Sequence, residues 1–327
     1  MADTWLVSGG AGYIGAHVVR SLQAAGAEAV VIDDLSTGDI GRVQVPFVHG
    51  DIADADLVAD TLRRFDICGV VHLAADKQVE QSMREPLLYY RRNVSNLMQL
   101  LDAMARTGVD KLVFSSSAAV YGMVDSARVK EDHPTRPINP YGETKLVGEW
   151  LIRDQARATG LRFAALRYFN VAGTAAPELA DLGRSNLIPM VFDALARGEQ
   201  PVIFGAEHAT PDGTCVRDFI HVQDLADAHV AAIGALGEPG AGSVFNVGCG
   251  RGYSVREVIE MVAEVSGQTI QPLVGPPRPG DPAMVVADTE HITTMLGWRP
   301  RHDLREMVRS AWYARFQQPA LSSTAPQ

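Results

Sequence analysis

A short apolar run, Trp5-Leu6-Val7-Ser8, leads without interruption into Gly9-Gly10-Ala11-Gly12-Tyr13-Ile14-Gly15. Such a run bounded by glycine reads as a buried strand. Glycines at every third position then allow a tight turn, close approach of the backbone to a pyrophosphate, and close packing of the next helix on the strand. The spacing predicts that helix over Tyr13 to Ala25, with its free amides facing phosphate charge. Ala29-Val30-Val31-Ile32 reads as a second strand and ends in Asp33-Asp34. Asp33 follows Gly15 at close to the roughly 20-residue offset of a carboxylate that binds an adenosine ribose. A carboxylate there repels the extra 2′-phosphate of NADP, so the pattern favours NAD.

The alternation continues along the chain. Pro46 to His49, Gly69 to Ala74, Lys111 to Ser115 and Arg162 to Arg167 read as strands, and Ala55 to Arg64, Tyr89 to Thr107 and Pro140 to Thr159 as helices. Strands alternating with helices specify an α/β fold, a Rossmann-type doubly wound parallel sheet. After about Asn170, Pro and Gly become more frequent, with a loop from Thr174 to Ser185 and a Gly-Pro-Pro-Arg-Pro-Gly segment from Gly275 to Gly280. This change predicts an NAD-binding unit over residues 1–170 and a smaller C-terminal α/β substrate unit over 171–316, with room for segments to return to the first. Residues 317–327 are small, polar and aperiodic, which predicts a mobile tail.

A chain of 327 residues, 46% of them hydrophobic, can bury such a core. Its formal net charge of -10 offers no basic field to polyanions, which argues against a general nucleic-acid or anionic-membrane binder. The first strand begins close to Met1 and no uninterrupted apolar stretch reaches membrane-spanning length, so a cytoplasmic location is expected. Cys68, Cys215 and Cys249 are far apart and the 9 histidines are scattered, so neither a disulfide framework nor a metal site is expected.

One helical turn separates Tyr141 from Lys145 in Tyr141-Gly-Glu-Thr-Lys145, downstream of Ser115-Ser116-Ser117. Positions i and i+4 share a helix face, so an ammonium can stand beneath a phenol. A phenol titrates near 10, and bringing it to neutrality takes roughly 4 kcal/mol. A cation at about 4 Å supplies up to ~4 kcal/mol at an effective dielectric of 20. A longer separation calls for a second positive charge, which an oxidised nicotinamide carries. The pair is therefore expected to act as a proton-transfer base, with Lys145 lowering the phenol.

Taken in order, Gly9 to Gly15, Asp33-Asp34, Val48 to Asp51, His72 to Ala75, Asn93, Ser115 to Gly122, Pro140 to Lys145, Arg167 to Gly173 and Val216 to His229 resemble the extended short-chain dehydrogenase/reductase superfamily. Within it the resemblance is greatest to the UDP-glucose 4-epimerase family, and it covers nearly the whole chain. It implies that Gly9, Gly12 and Gly15, with Tyr13 and Ile14, hold the NAD pyrophosphate. Asp33, beside Asp34, would bind the adenosine ribose, and Asp51 and Ile52 the adenine edge. Leu73, Ala74, Ala75, Lys77, Asn93, Ser115 and Tyr168 would also approach the cofactor. Tyr141 would be the base, Lys145 would bind the nicotinamide ribose, and Ser117 would hydrogen-bond the reacting sugar hydroxyl. On the substrate side, Arg217 and Arg278 would contact the diphosphate, Asp281 the uridine ribose, and Val202 to Phe204 the uracil. Asn170, Tyr168 and Lys77 would border the sugar, and Asn186 and Leu187 the diphosphate and base region. The implied reaction oxidises C4 of a UDP sugar, turns the 4-keto sugar about its diphosphate link and returns the hydride to the other face. That interconverts UDP-glucose and UDP-galactose with NAD retained. A homodimer paired through two helices of the nucleotide unit, one of them carrying Tyr141, is also implied.

Two departures bear on the substrate. Thr174 to Ser185 is shorter than the loop of many hexose epimerases and lacks its acidic, glycine-rich form. Val285 stands where epimerases restricted to glucose and galactose carry a bulky aromatic gate, so UDP-N-acetylglucosamine and UDP-N-acetylgalactosamine are expected as further substrates. Another UDP sugar, a uronate or pentose, is the second reading. A sugar-nucleotide 4,6-dehydratase usually carries Asp-Glu after the strand-end hydroxyl residue, where this chain has Ala118-Ala119. A non-catalytic NAD-binding sensor is disfavoured by the intact Ser117, Tyr141 and Lys145.

Overall fold

The computed structural model describes residues 3–124, 126, 128–181, 183, 186–237, 242–278 and 280–316, so the expected tail lies outside the described residues. Six strands follow one another through the first half: β1 (Thr4–Ser8), β2 (Glu28–Asp33), β3 (Phe47–His49), β4 (Gly69–His72), β5 (Lys111–Ser117) and β6 (Arg162–Tyr168). They lie parallel in the order 6-5-4-1-2-3. Leu6, Val7, Val70, Val71, Leu112 and Val113 are all fully buried. Such strands need helices on both faces, which the parallel crossovers supply. The Tyr13–Ala24 and Val222–Gly234 helices cover one face, and the Ala55–Arg64, Asn96–Thr107 and Pro140–Thr159 helices the other. Strand order reverses between β1 and β4, and ligands of open α/β sheets bind at the carboxyl ends beside such a reversal.

The second half builds β7 (Asn170–Ala172), β8 (Val202–Phe204) and β9 (Val216–His221), and then β10 (Gly242–Val247), which extends the first sheet beside β6. The large sheet thus has seven strands and draws on both halves of the chain. β11 (Gly252–Ser254), β12 (Leu273–Gly275) and β13 (Met284–Val285) complete a four-stranded sheet of β7, β9, β11 and β13 and a two-stranded sheet of β8 and β12. A separate core containing Phe192, Phe219, Ile259, Met307 and Trp312 supports these smaller sheets. Among the described residues no helix is long and apolar enough to cross a membrane.

Local chemistry sets the element that matters most. The Pro140–Thr159 helix begins at Asn139, whose Oδ1 accepts from the Gly142 amide at 2.8 Å, and ends at Gly160 with φ 78. An asparagine cap, a proline at the first position and a left-handed glycine are each strong boundary signals. The expected Tyr89 to Thr107 helix needs correction. Short helices at Val79–Arg84 and Pro86–Tyr89 precede a π turn at Tyr90–Ser95, which runs into the Asn96–Thr107 helix. Pro86 has no amide to continue the earlier helix and starts the next one. The widened turn carries the buried Asn93 inward, where Nδ2 donates to the Asp76 carbonyl at 2.9 Å and to Thr144 Oγ1 at 3.0 Å.

Candidate active site

The glycine turn is closed by its own backbone. The Gly12 amide donates to the Gly9 carbonyl at 3.1 Å, and a Cβ on Gly15 would lie 2.2 Å from that same oxygen. Gly9 has φ +75, and a Cβ there would stand 2.8 Å from the Ala74 amide nitrogen, so the turn packs on the segment after β4. Asp33 is fixed beside it: Oδ2 accepts from the Ala11 amide at 3.0 Å and Oδ1 from the Leu35 amide at 2.9 Å. Burial pushes the Asp33 carboxyl above its ordinary value, while both amides pull it down. Asp34 accepts from the Ser36 amide at 2.9 Å, and Asp51 Oδ1 from Asn96 Nδ2 at 3.1 Å. A backbone cradle at a helix N-terminus, with a held carboxylate at the next strand end, fits the pyrophosphate and adenosine ribose of NAD.

Several expected cofactor residues spend their side chains within the protein. Ile52 is buried in the core, so its backbone alone can border the adenine. Tyr13 donates its hydroxyl to the Gly173 carbonyl at 2.6 Å, and Ile14 packs against the core. Leu73 donates its amide to the Ser8 carbonyl at 3.0 Å, and Asn93 Oδ1 accepts from the Asp76 amide at 2.9 Å. Asn93 therefore shapes the segment holding Ala74 and Ala75. Lys77, at its end, is exposed.

Ser117 ends β5 directly across from Tyr168 on β6, and Tyr141 enters on the first turn of the Pro140–Thr159 helix. The Ser117 oxygen accepts from the Ala119 amide at 3.2 Å, and its side chain faces the Tyr141 phenol, which it draws downward. Lys145, only 4% exposed, donates Nζ to the Ser115 carbonyl at 2.8 Å and lies 6.0 Å from the centre of the Tyr141 ring. Burial dominates the titration of both groups. Burial raises Tyr141, and burial also lowers Lys145 to about 7, because a low-dielectric site disfavours both charged forms.

Tyr168 also differs from its expected place at the sugar. Its hydroxyl is hydrogen-bonded to His229 Nε2, and its ring sits in the apolar core on one face of the sheet. Burial holds His229 at about 4, hence neutral, and its Nδ1 can only donate to the Leu225 carbonyl at 2.9 Å, which makes Nε2 the acceptor. The next residue, Phe169, joins Tyr121, Leu146 and Val285 in a small cluster that also includes Ala118. Side chains alternate along extended chain, and that period was the signal by which Phe169 could have been found.

The substrate-side residues form a second group. Arg217 and Asp281, assigned separate contacts by resemblance, are ion-paired with each other, and Arg217 Nη1 donates to the Val216 carbonyl at 2.8 Å. The Arg278 guanidinium lies 4.2 Å over the Phe204 ring, on the strand that begins with Val202. Val285 pairs with Arg217 in the β13–β9 register, so the strand pair joins this group to the Phe169 cluster. Asn170 is exposed on β7. Asn186 Nδ2 donates to Asp181 at 2.6 Å, and Leu187 packs into the second core. Among the described residues, Lys77, Asn186 and Leu187 make no hydrogen bond to either group.

The model of the NAD dependent epimerase/dehydratase family matches residues 5–248. The chain belongs to that family. A UDP-glucose 4-epimerase of Azospirillum brasilense is 47% identical, covering 98% of this chain and 95% of its own. The crystal structure of a UDP-glucose-4-epimerase from Stenotrophomonas maltophila, with bound NAD and formylated UDP-arabinopyranose, superposes with a TM-score of 0.92 at 39% identity, covering 96% of this chain and 98% of its own. A UDP-Glc/GlcNAc 4-epimerase from Campylobacter jejuni gives a TM-score of 0.85 at 37% identity, covering 97% and 100%.

Membership of the NAD dependent epimerase/dehydratase family agrees with the cradle and with the residues gathered above it. Among the described residues no cluster of histidine, cysteine and carboxylate side chains could hold a metal ion. Sequence reasoning passed over a second layer under the site. His72 Nδ1 lies 2.7 Å from Ser8 Oγ, and its ring stacks on Phe114 at 5.9 Å, with Lys145 Nζ 5.2 Å from the centre of that phenyl ring.

Proposed function

We propose that the protein interconverts UDP-glucose and UDP-galactose by inverting C4 of the sugar, with NAD held through turnover. The carrying observation is the convergence of Ser117, Tyr141 and Lys145 where β5 ends, at the carboxyl end of the sheet, where the glycine turn and Asp33 also lie. NAD, held by the glycine turn and Asp33, would supply the hydride acceptor and donor for C4. Tyr141 takes the proton of the 4-hydroxyl at its phenol oxygen and later returns it, while Ser117 holds that hydroxyl by a hydrogen bond. Lys145, fixed on the Ser115 carbonyl, supplies donors to a ribose and part of the positive charge the phenol needs. Since burial raises Tyr141, its basicity depends on added cationic charge, which an oxidised nicotinamide would supply in part.

Inversion requires a firmly held nucleotide and a sugar free to turn. Arg217 and Arg278 would grip the diphosphate, Asp281 the uridine ribose, and Phe204 and Val202 would flank uracil. Ala118 follows Ser117 where a dehydratase would need an acid, so the ketone has no water-loss route. Val285 is small where the resemblance places a bulky aromatic gate, and acceptance of the N-acetylated sugars is part of the reading. A relative named for both UDP-Glc and GlcNAc supports it.

The protein is further read as a cytoplasmic homodimer. Met98 and Trp150, each 51% exposed, lie on the packed Asn96–Thr107 and Pro140–Thr159 helices and offer an apolar face to a second copy. Three free thiols suit a reducing compartment. The function is tested by incubating purified protein with UDP-galactose, UDP-N-acetylgalactosamine, a UDP-uronate and a UDP-pentose without added cofactor, and following the sugars by NMR. C4-inverted hexose is the expected product. A 6-deoxy-4-keto sugar would select the dehydratase, and no product with any sugar would reject catalysis.

A further inference from the structure

Ser117 sits at a strand end and Tyr141 at a helix start, so their meeting depends on how the helix lies on the strand. On that helix Tyr141, Lys145 and Glu149 are spaced by four and share one face. Two of these rungs are tied to β5. Lys145 Nζ donates to the Ser115 carbonyl at 2.8 Å, and Ser116 Oγ donates to Glu149 Oε1 at 2.5 Å. Two ties along one axis fix both the slide and the roll of a helix against a strand. The third rung is the Ser117 and Tyr141 pair.

Glu149 is 1% exposed, and its charge is met by Arg167 in a two-pronged pair, Nε to Oε1 at 2.9 Å and Nη2 to Oε2 at 2.7 Å. Arg167 is the cross-strand neighbour of Ser116 in the β5–β6 register. Its remaining nitrogen, Nη1, donates to the Tyr121 hydroxyl at 2.9 Å and to the Glu131 carbonyl at 3.0 Å. The Tyr121 hydroxyl in turn donates to Asn246 Oδ1 at 2.6 Å. Ser116 precedes Ser117, and Tyr121 closes the short turn Ala118–Val120 that Ser117 opens. One buried ion pair therefore holds the chain on both sides of Ser117.

We propose that Glu149 and Arg167 are positioning residues of the reaction, which set the register of the Pro140–Thr159 helix on β5 and so align Ser117 with Tyr141. Both are buried and spend their polar atoms on each other, Ser116, Tyr121 and Glu131. A buried ion pair adds little net stability, because desolvation cancels much of the attraction. Alignment of the reacting pair accounts for its place beneath the base. The inference rests on Tyr141 being the base of the proposed epimerisation.

The test uses Ser116→Ala, which deletes one tie and keeps the ion pair, and Glu149→Gln, which keeps the shape and loses the charge. Misplacement of reacting groups lowers kcat by up to about 100-fold. The expected result is a fall in kcat of about tenfold for Ser116→Ala and more for Glu149→Gln, with the calorimetric affinity for UDP within about twofold of wild type. Should Glu149→Gln fail to fold, Ser116→Ala decides alone. Unchanged kcat, or a loss of kcat matched by an equal loss of UDP affinity, overturns the positioning role. A wild-type protein that epimerises no UDP sugar would instead overturn the function on which it rests.

Discussion

Lys145 stands on the Ser115 carbonyl, 2.8 Å away, rather than against the phenol of Tyr141. The lysine is placed by the strand, and its buried ammonium carries a desolvation cost that the chain's own residues do not offset.

That cost has a sign and a pH window. Lys145 is lowered to about 7 by burial, from an unfolded value of 10.5. Below 7 both states are protonated and the full penalty is present; above 7 the unfolded state binds more protons, so stability rises with pH until the unfolded lysine also titrates. Lys145→Met should therefore stabilise the cofactor-free protein most at pH 6, by on the order of 5 kcal/mol less the lost bond to Ser115, and raise its melting temperature accordingly. The advantage should shrink steadily toward pH 10. A melting difference independent of pH would contradict the assignment.

Tyr141→Phe keeps the ring and removes the proton carrier. Loss of a general base lowers kcat by about 10²–10⁴-fold, and the affinity for UDP, measured by calorimetry, should stay near wild type. Retention of more than about a tenth of the wild-type kcat would show that another group moves the proton.

Arg217→Ala leaves the Asp281 carboxylate without its partner beside the expected diphosphate. Charged hydrogen bonds contribute about 1.5–3 kcal/mol, so UDP affinity should weaken by about 10- to 100-fold while kcat at saturation changes little. The double variant with Asp281→Asn should recover part of the affinity, since the repulsion of anion by anion is gone. Equal affinity in wild type and Arg217→Ala would place the diphosphate elsewhere.

Val285→Tyr tests the sugar pocket. Val285 is 8% exposed beside Phe169 and Tyr121, so a tyrosine there would fill the space the reading assigns to a 2-acetamido group. The preference between acetylated and plain hexose should shift by about 10- to 200-fold against the acetylated sugar. Proportionate loss of both activities would indicate overpacking instead.

The Pro140–Thr159 helix was legible at both ends because its signals are local: Asn139, Pro140 and Gly160 each act on the backbone beside them. The glycine turn and Asp33 were legible for the same reason. The π turn at Tyr90–Ser95 was not, since its cause is Asn93 reaching Asp76, a contact distant in sequence. Likewise the pairing of Arg217 with Asp281 and the position of β10 beside β6 depend on which strands meet, and no local pattern encodes that. Tyr168 misled because it lies within the Arg167 to Gly173 run that carries the resemblance, while strand alternation turns its ring to the face opposite Phe169.

The central claim is that C4 loses and regains the same hydride at a site where Tyr141 moves the proton. UDP-galactose carrying deuterium at C4, turned over in ordinary water without added cofactor, tests it most directly. The account predicts UDP-glucose with the deuterium retained at C4. Product with that deuterium exchanged for solvent hydrogen would contradict it.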